Sequence, residues 1–173
     1  SLKEKCMATQ TSSLIGANLN GSVSDTTAMF ALGTVSNGVD GTRWEYVLAT
    51  ATFITGELVL LNPRGSAFTL ISSLFTARTA YDIAACQGQI NRDQYGWVAK
   101  QGRNLYVLCT GTITSGNNTG VGLGVNSGRL VVGALAGVGN SIFGIFLTSD
   151  TPTTGGQNAT QATLTWPRYV NKQ

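Results

Sequence analysis

Histidine is absent from this chain of 173 residues, and charged residues make up only 11% of it. An ordinary soluble domain has about 25% charged residues. Without histidine, the chain cannot form a Ser-His-Asp triad, a Cys-His dyad, an imidazole general base or a histidine-ligated metal site. So few charges also exclude a disordered polyelectrolyte. These absences remove most enzyme chemistry, and we expect a protein that is not an enzyme.

Cysteine is scarce as well, with only Cys6, Cys86 and Cys109. An odd number, wide spacing and the lack of a CxxC pair argue against a disulfide framework or a zinc site, and no cofactor is expected. The simplest interpretation is reduced thiols in a cytosolic compartment, with Cys109 as a small core residue. A bridge between Cys86 and Cys109 stays open as the alternative.

Positive charge is in slight excess, with 11 Lys and Arg against 8 Asp and Glu, for a net charge of +3. The arginines are scattered and form no basic stripe interleaved with aromatic residues, so we expect no nucleic-acid partner. No apolar stretch approaches the roughly 18 residues of a membrane-spanning helix. The first residues also lack the basic-then-apolar pattern of a secretion signal. The sequence therefore predicts no membrane partner.

Glycine, in contrast, is abundant, with 22 residues, and it is concentrated at 120–124 and 133–139. Neither cluster contains the Gly-Lys-Ser/Thr sequence of a Walker phosphate loop or opens an amphipathic helix, so we interpret both as turns and bulges. A hydrolase that uses carboxylates alone would need two of them close together across a cleft. No pair has that context, and we expect Asp82 and Asp93 in turns or ion pairs.

Short β-prone runs separated by Gly, Asn, Asp and Ser clusters recur from residue 28 onward. The clearest run, 43–54, is apolar on both faces, which predicts a strand buried on both sides or at an interface. Residues 94–110 predict a hairpin that turns at 100–103. The other predicted strands are 29–35, 57–62, 67–76, 81–86, 129–134, 142–148 and 161–166. Turn signals about 8–12 residues apart predict an all-β fold, either a small β-barrel or a β-sandwich.

Residues 1–27 have few large apolar side chains and no sustained period. They predict an extended N-terminal arm in front of one β-barrel or β-sandwich domain that covers residues 28–173. The apolar side chains of Leu14, Ile15 and Leu19 are the candidates in the arm for contact with this subunit or a neighbouring one.

Aromatic residues form two pairs at the period of a strand, Trp44 with Tyr46 and Tyr95 with Trp97, so each pair shares one strand face. An aromatic side chain buries about 150–250 Å² whether it lies in a core, a subunit contact or a ligand site. We interpret these four residues as core or subunit-contact residues. A sugar-stacking platform, to which Trp166 would also belong, stays open.

One stretch has a more specific pattern. Residues 84–99 read AACQGQINRDQYGWVA and lead through QGRN into the apolar LYV. This pattern resembles virion proteins of tailed bacteriophages, especially small head decoration (cement) proteins, in which a YGWV strand is followed by a short glycine-containing turn and an apolar strand. Residues 49–59, ATATFITGELV, are similar to such proteins too. The resemblance covers residues 46–147.

The resemblance implies a protein without catalytic residues that binds the outer surface of a phage head and stabilises the capsid lattice. The partners it implies are the major capsid protein and further copies of the chain, in a homo-oligomer such as a trimer. The implied location is the outer capsid surface of a virion assembled in the host cytoplasm. The arm has no motif match, so its role as a lattice-binding segment is a hypothesis. The alternatives are a carbohydrate-binding or host-attachment module and a tail or neck component.

Overall fold

A computed structural model describes residues 19, 24–38, 40–69, 82–110, 122–123, 130–131, 140–148 and 157–171. Every regular element in these ranges is a β-strand, so the all-β prediction is confirmed. The strands are β1 (Val35–Asn37), β2 (Arg43–Ala49), β3 (Leu58–Leu61), β4 (Ser66–Thr69), β5 (Asp82–Cys86), β6 (Tyr95–Thr110), β7 (Gly122–Leu123), β8 (Leu130–Val131), β9 (Asn140–Leu147) and β10 (Gln157–Asn171).

Five strands pair in a closed circuit, which we call the five-strand circuit. Strand β2 pairs with β4 in parallel, and the pairs β4–β3, β3–β5, β5–β6 and β6–β2 are antiparallel. Each strand uses both of its edges: Leu48 of β2, for example, pairs with Ser66 of β4 and with Tyr95 of β6. Closure removes exposed edges from these five strands.

The remaining strands extend the sheet from the circuit. Strand β1 pairs with β2, β10 pairs with the second half of β6, and β9 pairs with β10. Strands β1 and β9 therefore lie at the two ends of the sheet path. Strand β8 pairs with the end of β6 and with β7.

Alternate residues of the circuit strands contribute to two separate hydrophobic clusters. In β2, Trp44 and Tyr46 belong to the first cluster, whereas Val47 and Ala49 belong to the second. The same alternation occurs in β3, β5 and β6, as the two-residue period of a strand requires. The first cluster continues along β6, β9 and β10. The prediction of a strand buried on both sides is confirmed, although β2 ends at Ala49 and not at residue 54.

The predicted hairpin over residues 94–110 is wrong, because β6 continues through it as one strand of 16 residues. Gly102 has φ of 146° and Asn104 has φ of 56°. The pairing of β6 with both β2 and β10 shifts register close to these residues, which identifies a bulge and not a reversing turn. A side chain at Gly102 would also collide with Thr42. The glycine therefore bends the strand and does not end it.

Several predicted boundaries also differ from the structure. Strand β1 begins at Val35, where the predicted strand 29–35 ended. The chain turns before it: the Ala31 carbonyl accepts a hydrogen bond from the Thr34 amide at 3.1 Å, and Gly33 has φ of 79°. Strand β10 is longer than predicted because its two ends pair with different strands. Residues 62–65 read NPRG, a strong turn signal, and the chain turns there, with the Gly65 amide donating to the Asn62 carbonyl at 2.8 Å and Gly65 at φ of 81°.

Cys86 and Cys109 are free, buried thiols that lie in different clusters, so the disulfide alternative is not formed. Burial raises the pKa of each thiol to about 12. The described ranges contain no helix with the length and apolar character needed to cross a membrane. Within the same ranges, no group of His, Cys, Asp and Glu side chains could hold a metal ion. Cys6 and nearly all of the predicted arm lie outside the described residues.

Two glycines with the same backbone conformation test the packing of the turn between β3 and β4. Gly65 lies in that turn, and Gly41, which precedes β2, is the control. A Cβ atom at Gly65 would lie 2.5 Å from the Leu32 Cβ atom, whereas one at Gly41, with φ of 79°, would meet no atom within 4 Å. We expect Gly41→Ala to lower the free energy of unfolding by about 1 kcal/mol, from backbone strain alone. Gly65→Ala should lower the free energy of unfolding by roughly 1–3 kcal/mol more, because the new methyl group overpacks the turn. Urea unfolding measures both values, and equal losses would contradict the contact between Leu32 and this turn.

Candidate functional site

The segment in front of β1 is attached to the circuit by its backbone. The Asp25 amide donates to the Tyr95 carbonyl at 2.8 Å, and the Tyr95 amide donates to the Asp25 carbonyl at 2.9 Å. The Ser24 hydroxyl also donates to the Gln94 side chain. Further upstream, Leu19 is buried in the first cluster. Residues 24–30 therefore have a defined path across the start of β6.

Four aromatic side chains pack together here, and one of them, Phe30, comes from this segment. The ring centre of Tyr46 lies 5.1 Å from that of Trp97, 5.3 Å from that of Phe30 and 6.1 Å from that of Tyr95. Phe30 also meets Trp97 edge-on, at 5.4 Å. These distances are those of favourable aromatic pairs. We call Phe30, Tyr46, Tyr95 and Trp97 the aromatic cluster.

Most of the predicted core or contact residues that the structure describes are buried. Trp44, Tyr46 and Trp97 are buried, and Tyr95 is half-buried. The structure brings Tyr46, Tyr95 and Trp97 together, whereas Trp44 donates its indole N–H to the Thr42 hydroxyl at 2.8 Å. Leu19 is also buried.

Two of the predicted arm contacts, Leu14 and Ile15, lie outside the described residues. Phe30, which completes the aromatic cluster, carried no sequence signal because it is a lone aromatic in a short apolar run.

The Tyr46 hydroxyl joins the aromatic cluster to the segment above it. It donates to the Asp25 carboxylate at 2.9 Å and accepts the Met29 amide at 3.2 Å. Burial, together with the nearby Asp25 carboxylate, outweighs the lowering by the Met29 amide and raises the pKa of Tyr46 to about 12. The hydroxyl therefore stays protonated and keeps donating at neutral pH.

Three apolar side chains on and just before β1 face solvent. Met29 is 69% exposed, Leu32 39% and Val35 38%. Val35 belongs to β1, which pairs with β2 on one edge and, among the described residues, with no strand on the other. We call these three side chains together with β1 the β1 edge surface. An unpaired strand edge offers backbone N–H and C=O groups to another chain.

A cluster of charges lies on the opposite face of the same strands. The Lys100 ammonium lies 2.9 Å from a Glu45 carboxylate oxygen and 2.6 Å from one of Asp82. The three side chains come from neighbouring strands β6, β2 and β5. Lys100 and Glu45 are largely buried, whereas the Asp82 side chain is 51% exposed.

The two carboxylates of this cluster determine the protonation state of Lys100. Burial alone would lower the pKa of Lys100, but hydrogen bonds to Asp82 and Glu45 outweigh it, and the pKa lies above its usual value. The amine therefore stays protonated at neutral pH, where it is an ion-pair partner and a poor base or nucleophile. The prediction for the aspartates is confirmed, since Asp82 is in this ion pair and Asp93 lies in a turn 3.6 Å from Arg92.

No family model matches this chain, and searches of curated proteins and of solved structures find no match either. The function of the chain is therefore inferred from its own residues and surfaces.

The charge cluster predicts that Lys100→Met lowers the free energy of unfolding much more than Arg92→Met does. Lys100→Met leaves the Glu45 carboxylate buried without its cation, which costs roughly 3 kcal/mol of stability. Arg92→Met, the control, removes an exposed ion pair that contributes about 0–1 kcal/mol. Urea unfolding at neutral pH compares them. Equal stability of the two variants would show that the buried cluster contributes no more than a surface pair.

The raised pKa values predict alkaline destabilisation. Tyr46, Cys86 and Cys109 keep their protons in the folded state up to about pH 12, whereas their ordinary pKa values are 9.0 for the thiols and 10.0 for tyrosine. Stability from these groups is complete below pH 9 and falls as the pH rises towards 12, because the unfolded state loses the protons first.

The tyrosine contribution can be separated from that of the thiols. Tyr46→Phe should reduce the slope of unfolding free energy against pH between 10 and 12 by the equivalent of about one proton. The unmodified chain, measured alongside, is the reference. An unchanged slope in Tyr46→Phe would contradict the raised pKa of Tyr46. Urea titrations at a series of pH values measure both.

Proposed function

We propose that this chain is a non-enzymatic structural protein that binds the outer surface of a phage head and stabilises the capsid lattice. Its partners are the major capsid protein and further copies of itself. The observation that carries the proposal is the β1 edge surface, where exposed apolar side chains lie beside a strand edge that no other described strand pairs with. Residues 24–30, which are hydrogen-bonded to β6 through Asp25, and the aromatic cluster support that surface.

A surface of this kind is suited to strand addition. An extended segment of a partner can pair with an exposed edge through main-chain hydrogen bonds, while side-chain contacts give specificity. Apolar residues such as Met29 and Val35 can then bury area on both sides of the new strand. The scarcity of charged residues favours such contacts, because the cores of protein interfaces are depleted of charge.

A capsid lattice multiplies a weak contact. It presents many equivalent sites, so a small surface on each copy acts repeatedly, and oligomerisation of the chain links several contacts together. Each copy that binds the assembled lattice but not its dissociated subunits stabilises the lattice by mass action. A modest affinity at the β1 edge surface is therefore sufficient for the proposed function.

The segment that resembles head decoration proteins lies at the centre of the fold. Its YGWV sequence forms the start of β6, where Tyr95 and Trp97 belong to the aromatic cluster. The following glycine forms a bulge and not the turn that the resemblance implied. The strand character of YGWV supports the proposal, whereas the glycine departs from the pattern.

The alternatives differ in what they require. A sugar-stacking platform built on Trp44 and Trp97 is disfavoured because both side chains are buried. A tail or neck component would use the same kind of edge surface, and its position in the particle distinguishes it from a head protein.

The proposal is tested on virions produced by the genome that encodes this chain. Heads that lack the protein should release their DNA at a lower temperature than complete heads, and added purified protein should restore the difference. Val35→Asp, which places a charge on the β1 edge surface, should bind such heads at least tenfold more weakly, a loss of about 1.4 kcal/mol.

Ile54→Asp is the matched control, since Ile54 has a similar exposure but lies away from β1. It should bind as the unmodified protein does. Unchanged heat stability of depleted heads, or recovery of the chain only with tails, would refute the proposal. Equal binding by both variants would place the contact elsewhere on the chain.

A further inference from the structure

Trp166 stands apart from the other two tryptophans, because it is 37% exposed and adopts a left-handed backbone conformation, with φ of 52°. Such a conformation costs a bulky residue about 1–3 kcal/mol and persists only where the surroundings impose it. Here, the pairing of β10 with β9 shifts register around Trp166. On β9, Gly144 has no side chain to collide with the Thr165 carbonyl, which would lie 2.7 Å from a Cβ atom. The resulting bulge directs the indole away from the regular ladder.

Two cations hold the indole ring in place. The Arg43 guanidinium carbon lies 4.9 Å from the ring centre, and the Lys100 ammonium lies 5.2 Å from it. Lys100 is itself fixed by Glu45 and Asp82. The Arg43 Nε atom is buried and has no hydrogen-bond partner in the described structure, so its contribution here is packing against the ring. The indole therefore packs against these two side chains, while 37% of the residue stays exposed.

Among the described residues, the charged groups around the indole are balanced. Arg43 and Lys100 supply two positive charges, and Glu45 and Asp82 supply two negative ones. Asp82 is the half-exposed member. An ionised carboxylate accepts up to about four hydrogen bonds, so Asp82 keeps acceptor capacity beyond its bond to Lys100. Because both Asp82 and the ring contact Lys100, the carboxylate lies close to the indole.

We propose that Trp166 and Asp82 form a binding site for a neutral pyranose sugar. The C–H face of the sugar stacks on the exposed indole, and sugar hydroxyls donate to the Asp82 carboxylate. Arg43, Lys100 and Glu45 are positioning residues that fix the ring and the carboxylate. An aromatic surface beside a few placed polar groups is the usual composition of a small-ligand site. The site borders the β1 edge surface, because Val35 pairs with Glu45, but sugar binding at Trp166 does not depend on the function proposed above.

Single-stranded nucleic acid is the rival ligand, because bases also stack on aromatic side chains. Sites of that kind combine stacking with a positively charged groove that follows the phosphates. At Trp166 the two cations are matched by two carboxylates, so phosphates gain no net attraction. The balance of charge therefore favours a neutral ligand.

Saturation-transfer NMR on the full chain tests the proposal with three probes: methyl β-D-glucopyranoside, methyl β-D-galactopyranoside and the trimer of N-acetylglucosamine. At least one should receive saturation at its ring C–H protons and quench tryptophan fluorescence in titration. Trp166→Ala should weaken that binding at least tenfold, and Asp82→Asn severalfold. Phe146→Ala, which removes an exposed aromatic of β9 with similar exposure, should not change it. If Trp166→Ala fails to fold, Asp82→Asn provides the test with the indole in place.

Three outcomes would overturn the proposal. The first is the absence of saturation transfer to all three sugars. The second is binding that survives both Trp166→Ala and Asp82→Asn, or that Phe146→Ala removes. The third is preferential, strongly salt-dependent binding of an eight-residue oligothymidylate, which would identify a nucleic-acid site. Sugar binding by a chain that fails to stabilise heads would refute only the decoration function, and the reverse result would refute only this site.

Discussion

The structure depends on the pairing of one long strand, β6, with strands on both of its edges. Its first half closes the five-strand circuit between β2 and β5, and its second half carries β10. Adjacent residues such as Val98 and Ala99 belong to opposite clusters, so a register slip by one residue would exchange the two faces. Lys100 lies next along the strand and binds carboxylates of both neighbours. The ion pairs therefore favour the same register as the hydrophobic clusters.

The parts of the fold that could be predicted from the sequence are the local ones. Apolar residues on both faces of 43–49 predicted a strand buried on both sides, and the turn at 62–65 has residues that fit its backbone. The hairpin at 100–103 was wrong because a glycine among polar residues is compatible with a turn or a bulge, and only the partners of the strand decide between them. The closure of β2 onto β6 joins residues about 50 positions apart, which no local pattern specifies.

The candidate surfaces, like the long-range strand pairing, could not be predicted from local sequence patterns. Trp44, Tyr46 and Trp97 were interpreted as core or subunit-contact residues, and the structure places all three in the core. Met29 and Val35, which are exposed, look the same in sequence as core residues, because composition does not show which apolar side chains are covered. Trp166 was grouped with the other tryptophans for the same reason. Its distinct position depends on a bulge and on two cations from distant strands.

Hydrogen exchange tests the proposal that the chain binds phage heads through the β1 edge surface. Backbone amide exchange would be compared between the free protein and the protein bound to heads depleted of it. We expect slower exchange in residues 29–37 on binding, because a partner strand pairs with the edge of β1 that no other described strand occupies, and unchanged exchange in β3 and β5, which are paired on both edges. Protection confined to other segments, with residues 29–37 exchanging as in the free protein, would contradict it.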